Sequence, residues 1–232
     1  MDNFYIVGAG GVGSFLCPVI CKLVGPQHVT IIDGDKLEHK NLDRQLFNPD
    51  DVGQNKARAL SALYDCGCLE GWYFDGFIGS RDGIPLTESD WLLVCVDNHP
   101  ARKAALESCD SYGCRAIFGG NETTSSEAFL YQQDWKGSKL DPRVYYPEIN
   151  TSTTGDPMRV AAGCTGQFQE QNRQLVTANF MAAGLMGHLL MVWHLEAPKL
   201  NKETREYLPF HLIQNLSRNE NKIIKDHATK RD

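Results

Sequence analysis

The sequence contains no Cys-x-x-Cys pair, no internal repeat, no low-complexity tract and no excess of basic residues. Each absence removes a class. Without paired Cys-x-x-Cys knuckles, a four-thiolate zinc site of the usual spacing is not visible. A net charge of −6 leaves no electrostatic footprint for nucleic acid or an acidic membrane. The apolar stretch Met181 to Leu195 includes two Gly and two His. It is too short to span a bilayer, so it reads as a buried helix in the core or at a dimer face. No leader segment is visible, and eight cysteines without one point to a reducing cytoplasm rather than a disulfide scaffold.

What is present begins with glycine. The run Ile6-Val7-Gly8-Ala9-Gly10-Gly11-Val12-Gly13-Ser14 lies between an apolar strand-like segment, Phe4 to Val7, and a helix-like one, Phe15 to Leu23. Glycines at i, i+2 and i+5 permit a tight turn, bring backbone N–H groups against phosphate, and pack helix on strand. The helix N-terminus adds partial positive charge. Asp33 follows Gly13 by twenty residues, at the end of a second strand, Val29 to Ile32, where a carboxylate can accept hydrogen bonds from ribose hydroxyls. A plain dinucleotide-binding unit explains these features equally well.

The residues after the second strand argue for phosphate chemistry. Asn41, Arg44, Gln45 and Lys56 stand where a dehydrogenase would begin an ordinary crossover helix. Arginine grips polyphosphate with a planar fork and lysine acts as a point charge. A third apolar strand, Trp91 to Val96, ends in Asp97-Asn98, at the edge of the sheet where open α/β folds hold their ligands. Beside a triphosphate, an acid is most useful as a Mg²⁺ ligand. No hydride-transfer constellation follows the glycines.

The run Asp33-Gly34-Asp35 through Asn41-Leu42-Asp43-Arg44-Gln45-Leu46-Phe47, continued by Val52-Gly53-Gln54-Asn55-Lys56 and Cys95-Val96-Asp97-Asn98, resembles the signature of the ubiquitin-activating superfamily that includes ThiF, MoeB and HesA. The resemblance covers roughly the first 120 residues. It implies an α/β, Rossmann-like fold: a mainly parallel sheet with helices on both faces and C-terminal strands extending it. It also implies Mg-ATP-dependent adenylation of the C-terminal glycine of a ubiquitin-like (β-grasp) or sulfur-carrier protein. By that resemblance Gly8, Gly10, Gly11, Gly13, Asp33, Asp35, Asn41, Arg44, Gln45 and Lys56 form the ATP site. Asp33 holds the ribose, Asn41, Arg44 and Lys56 the phosphates, and Asp97 the Mg²⁺.

The second half carries a looser likeness. Gly119-Gly120-Asn121, Tyr146-Pro147-Glu148-Ile149, and Cys164 followed by Glu170-Gln171 and Asn179 resemble ThiF-family proteins of bacterial PRTRC-type operons. Those proteins sit beside ubiquitin-like, conjugating-enzyme-like and isopeptidase-like partners. Cys164, in a small-residue segment ahead of a long helical stretch, is the candidate nucleophile for a thioester, since a thiol near a helix N-terminus has a lowered pKa. A semi-buried structural cysteine is the alternative. Adenylation without a thioester step, and a nucleotide-binding scaffold, are the alternative functions.

Among the other cysteines, Cys17 and Cys21 stand four apart on the first helix as core, and Cys95 lies in a strand. Cys66, Cys68, Cys109 and Cys114 bind metal only if the fold assembles them. Many relatives supply an arginine to the partner subunit's ATP site from a helix before the first strand. With the first strand at Phe4, either another arginine substitutes, with Arg143 and Arg159 as candidates, or the subunits are arranged differently; homodimerisation is the expectation from the resemblance. Ala104 to Ser111 reads as a helix, and Arg115 to Phe118, Ala128 to Gln132 and Leu208 to Leu216 as strands. One adenylation domain is expected over residues 1–216, with an irregular crossover over 134–166 and a tail over 217–232.

Overall fold

The computed structural model describes residues 2–71, 84–121, 125–151, 176–215 and 220–225. In chain order these contain β1 (Phe4–Val7), α1 (Gly11–Val24), β2 (Val29–Ile32), α2 (Lys56–Tyr64), β3 (Gly67–Leu69), β4 (Trp91–Val94), α3 (His99–Tyr112), β5 (Arg115–Asn121), β6 (Ser125–Tyr131), α4 (Pro142–Tyr145) and α5 (Glu148–Thr151). There follow α6 (Val176–Leu190), α7 (Lys202–Arg205), β7 (Pro209–Asn215) and β8 (Glu220–Lys225). The strands form one sheet in the order β3-β2-β1-β4-β5-β6-β7-β8. Neighbours from β3 to β5 are parallel, and those from β5 to β8 antiparallel. The expected Rossmann-like sheet with C-terminal strands added to it is present.

Burial explains the central strands. The Phe-Tyr-Ile-Val of β1 and Trp-Leu-Leu-Val of β4 are buried throughout, as continuous apolar runs are when helices cover both faces of a parallel sheet. Alternate residues serve opposite faces. Phe4, Ile6, Trp91 and Leu93 join the core under α1 and α6, while Tyr5, Val7, Leu92 and Val94 join the core that contains residues of α3 and α5. From β1 the chain goes to β2 on one side, and β4 returns on the other. That reversal opens a crevice at the carboxyl ends of β1 and β4.

Several boundaries differ from those read in the sequence. α1 starts at Gly11, before Phe15, because its first turn is built from the glycines themselves. The three-residue β3 was not expected. β4 ends at Val94, although the Cys95 amide still donates to the Val7 carbonyl at 2.7 Å. β8 occupies part of the expected tail, pairing with β7. The helical run Val176–Lys199 is 24 residues, long and apolar enough to cross a membrane by length and composition alone. Its extra length over the expected stretch comes from the start at Val176 and from Glu196 and the closing turn Ala197–Lys199, while Met191–Glu196 is π-helical. Ala182, Ala183, Met186, Leu189 and Leu190 are buried in the core beside α1, so it is a core helix.

Candidate functional site

Residues from three strand ends converge at the crevice. After β1, Gly8 takes φ +95°, a left-handed conformation open to glycine at no steric cost. A Cβ on Gly13 would sit 1.9 Å from the Gly8 carbonyl oxygen, so the loop and the start of α1 touch backbone to backbone. The N-terminus of α1 carries no side-chain cap and no acidic residue in its first turn. After β2, the half-buried Asp33 accepts hydrogen bonds from the amides of Ala9 at 2.6 Å and Asp35 at 2.7 Å. Burial pushes its carboxyl up, while the Lys56 ammonium and those two amides act to lower it.

Lys56 is the first residue of α2. Its buried side chain donates to the exposed carboxylate of Asp35 at 3.0 Å, and its backbone amide to the Asp35 carbonyl at 2.9 Å. Asn55 caps α2 by accepting from the Arg58 amide at 3.1 Å, and its side-chain amide donates to the Asp33 carbonyl at 2.9 Å. Together with the paired backbone of Leu37, Gly53 and Gln54, these bonds clasp the start of α2 to the end of β2. Asp97 lies beyond β4 with solvent access. Partial burial raises its carboxyl, and the charges of Arg102 and Lys56 oppose that rise. The Lys56 charge therefore acts on acids from both β2 and β4.

The turn between the clasp residues holds the remaining candidates. Asn41 is buried and accepts from the Glu38 amide at 3.0 Å, fixing the turn that carries Arg44. The Arg44 guanidinium donates to the Lys40 carbonyl at 2.7 Å and the Asp43 carboxylate at 2.9 Å. Gln45 lies beside Gly10, whose hypothetical Cβ would be 3.8 Å from its Nε2. The Gln45 Oε1 is buried with no hydrogen-bond partner among the described residues. A buried acceptor with nothing to accept calls for an explanation, and a ligand lying on the glycine loop supplies one.

The sequence reading named two residues that hold this turn in place but gave them no role there. Ser14, fully buried on α1, accepts from the Leu46 amide at 3.0 Å. Asn179 on α6 is also fully buried. It donates to the Arg44 carbonyl at 3.0 Å, accepts from Asn121 at the end of β5 at 2.8 Å, and packs where a Cβ on Gly11 would lie, 2.4 Å from its amide nitrogen. Asn179→Ala should cost about 1–3 kcal/mol for each buried group it leaves unsatisfied. At this size that lowers the melting temperature by about 2–4 °C per kcal/mol, and a calorimetric scan reads it directly. Arg102, which the sequence reading missed, is buried and donates to the carbonyls of Val96 and Gly119, bracing the ends of β4 and β5. His99, next to the Asn98 cap of α3, is buried, and neither ring nitrogen has a partner among the described residues.

Two groups of candidates are placed away from the crevice. Arg143 does not reach the crevice. Its guanidinium is bound by Asp110 and Asp141, each at 2.8 Å, and by the Tyr131 hydroxyl at 2.6 Å. Tyr131 pairs with Ala116 near the start of β5, at the sheet edge opposite the glycine loop. Cys66 and Cys68 are likewise not assembled with Cys109 and Cys114, because the two pairs pack into cores on opposite faces. Cys164, Arg159, Glu170 and Gln171 lie outside the described residues. A separate cavity on the antiparallel half is lined by Phe129, Leu140, Pro142, Tyr146, Phe210 and His211.

Residues 3–65 match the model of the ThiF family. The chain is 35% identical over 120 residues to ubiquitin-like modifier-activating enzyme 5 of Drosophila grimshawi, a match over 45% of this chain and 30% of that protein. To the enzyme of the same name from Oryza sativa subsp. japonica it is 34% identical over 125 residues, 47% of this chain and 29% of the other. The matched region thus spans under a third of these relatives' length. Among solved structures, the complex of Escherichia coli MccB with AMPCPP and MccA superposes with a TM-score of 0.65 at 18% identity, covering 96% of this chain and 63% of MccB. PaaA gives 0.64 at 16%, covering 97% and 73%. These two likenesses concern the fold.

Proposed function

We propose that this chain, homologous over its N-terminal half to ThiF-type activating enzymes, uses ATP to adenylate the C-terminal carboxylate of a ubiquitin-like protein. The observation that carries the reading is Lys56, a buried ammonium paired with Asp35 after β2 and acting on the charge of Asp33 and Asp97, with the uncapped start of α1 at the same crevice. A lysine there serves a polyanion. The glycine loop and the unpartnered Gln45 Oε1 fit a nucleotide lying across that start.

A peptide carboxylate is ionised at neutral pH and attacks the α-phosphorus without a general base. The new bond joins the carboxylate oxygen to the α-phosphorus, the bond to the bridging oxygen breaks, and pyrophosphate leaves. What this chain supplies is position and charge. Asp33 takes the ribose hydroxyls, and the α1 amides, Arg44 and Lys56 take the phosphates, with Asn41 and Gln45 shaping their turn. Asp97 would hold Mg²⁺, a hard cation suited to carboxylate and phosphate oxygen, which when bound neutralises charge on the leaving group.

Transfer of the product to Cys164 as a thioester is the second step of the proposal. A homodimer and a conjugating-enzyme-like partner complete it. ATP–pyrophosphate exchange with candidate β-grasp proteins tests the first step, and a non-reducing gel of wild type and Cys164→Ala tests the second. Exchange without a thiol-sensitive adduct would leave the alternative, adenylation that passes its product on directly. No exchange with any candidate would overturn the reading.

A further inference from the structure

We propose that Cys17, Cys21 and Cys66 bind a Zn²⁺ ion, with Cys68 as the fourth sulfur ligand. The three Sγ atoms lie within 4.8 Å of one another, and those of Cys17 and Cys21 are 4.0 Å apart. Zn–S bonds of about 2.3 Å at tetrahedral angles hold sulfurs about 3.8 Å apart, so the cluster needs only small side-chain rotations to close on the ion. A disulfide needs sulfurs at about 2.05 Å, and a pairwise bond would leave the third thiol unused.

The sequence builds this group from two places. Cys17 and Cys21 stand one turn apart on the same face of α1. Cys66 follows Asp65, whose left-handed φ of 54° ends α2 and turns the chain toward β3. Cys68 follows in β3, and both of these cysteines are half-buried against the core that contains Cys17 and Cys21. Free cysteine ordinarily packs as a small hydrophobe. Cys109 and Cys114 do that on the other face as a lone pair, 3.7 Å apart. Three converging sulfurs form a donor set instead, and Cys68, outside that 4.8 Å group but packed against the same core, would have to turn toward it to complete the tetrahedron. With no oxygen or nitrogen ligand in it, the set favours a thiophilic ion over Mg²⁺ or Ca²⁺.

On binding, each coordinating thiol gives up its proton to solvent. The ion would join α1 to the link between α2 and β3. That link needs a tie, since β3 is a three-residue strand paired only to β2 among the described strands. The group sits by the amino end of β3, at the edge opposite the nucleotide crevice, so it is independent of the adenylation reading.

The test is elemental analysis of the full chain purified without chelator, then titration of metal-free protein with Co²⁺ alone. One zinc per chain is expected, with sulfur-to-cobalt charge-transfer bands and the visible bands of a tetrahedral ion. Cys66→Ser should lose both signals and Cys68→Ser should weaken them, each folded by circular dichroism, while Cys109→Ser should leave them unchanged. Differential alkylation of the wild type covers the case of a misfolded variant: Zn²⁺ should protect Cys17, Cys21 and Cys66 together. Wild-type protein that takes up neither ion would overturn the proposal. So would undiminished binding in folded Cys66→Ser, or no protection by Zn²⁺.

Discussion

Lys56→Met should lower ATP–pyrophosphate exchange by about 10²–10³-fold, equal to about 2.7–4 kcal/mol of transition-state stabilisation, the cost of removing one preorganised electrostatic contact. Methionine keeps the aliphatic length that the buried stem of Lys56 fills. The partner carboxylate of Asp35 is 57% exposed, so water solvates it once the buried ammonium is gone, and the folding cost should stay small, about 1 kcal/mol. The cap of α2 by Asn55 and the backbone bond to Asp35 do not involve the side chain. The melting temperature should therefore stay near that of the wild type while exchange collapses. Exchange within a few-fold of wild type in a folded variant would remove Lys56 from the site and with it the observation on which the proposed function rests.

Arg143→Met should be the most destabilising single change away from the crevice, costing about 3–5 kcal/mol, because it leaves two buried carboxylates short of their main partner. Asp110 and Asp141 are 9% and 3% exposed. Burial acts to raise both carboxyls, yet hydrogen bonds outweigh it and hold both below the ordinary range. For Asp110 these come from Arg143, Tyr131 and Lys136, and for Asp141 from Arg143 and the Gly137 amide. A carboxyl lowered in the folded state stabilises fully above its unfolded value, about 3.9, and that stability drains away as pH falls through the folded value. In the variant the same carboxyls lose the charge that kept them low. Urea melts from pH 7 down to pH 3 should show a wide gap between wild type and variant near neutrality that narrows as acid protonates both proteins. A gap independent of pH would mean that Arg143 contributes packing alone.

The parts of the fold that were legible in the sequence are those with a local signal. β1, β2 and β4 announce themselves as apolar runs, and the glycines, Asp33, Arg44 and Lys56 as chemistry at fixed spacing. The start of α3 at His99 was also written locally, in the Asn98 cap, which accepts from the Ala101 amide at 2.9 Å, and in Pro100 of the first turn. Other features depend on contacts that no window contains. β3 is three residues long, begins with glycine, and exists because β2 offers it a ladder. Asn179 and Asn121 were visible as part of a likeness, but the bonds that join Asn179 to Arg44 and Asn121, far away in sequence, were not. Arg143 read as a free cation because the acids that bind it come from α3 and the loop before α4. The three converging thiols come from α1 and from the link between α2 and β3, whose packing the sequence does not state.

The clasp between residues 35–37 and 53–56 makes the intervening stretch, 38–52, an Ω-loop whose ends are pinned while its body rests on α1 and α6. Its base contains Lys56, at the start of α2, and its body Arg44, so one clasped loop carries both cations. Such a loop is also forgiving in one direction. Doubling its length would add only about 0.6 kcal/mol of closure cost, so the stretch 48–52, beyond the residues that dock through Ser14 and Asn179, can vary in length without displacing either charge. The neck has no such freedom: a single-residue shift there would break the pairing of Leu37 with Gln54 and turn Lys56 away from Asp35.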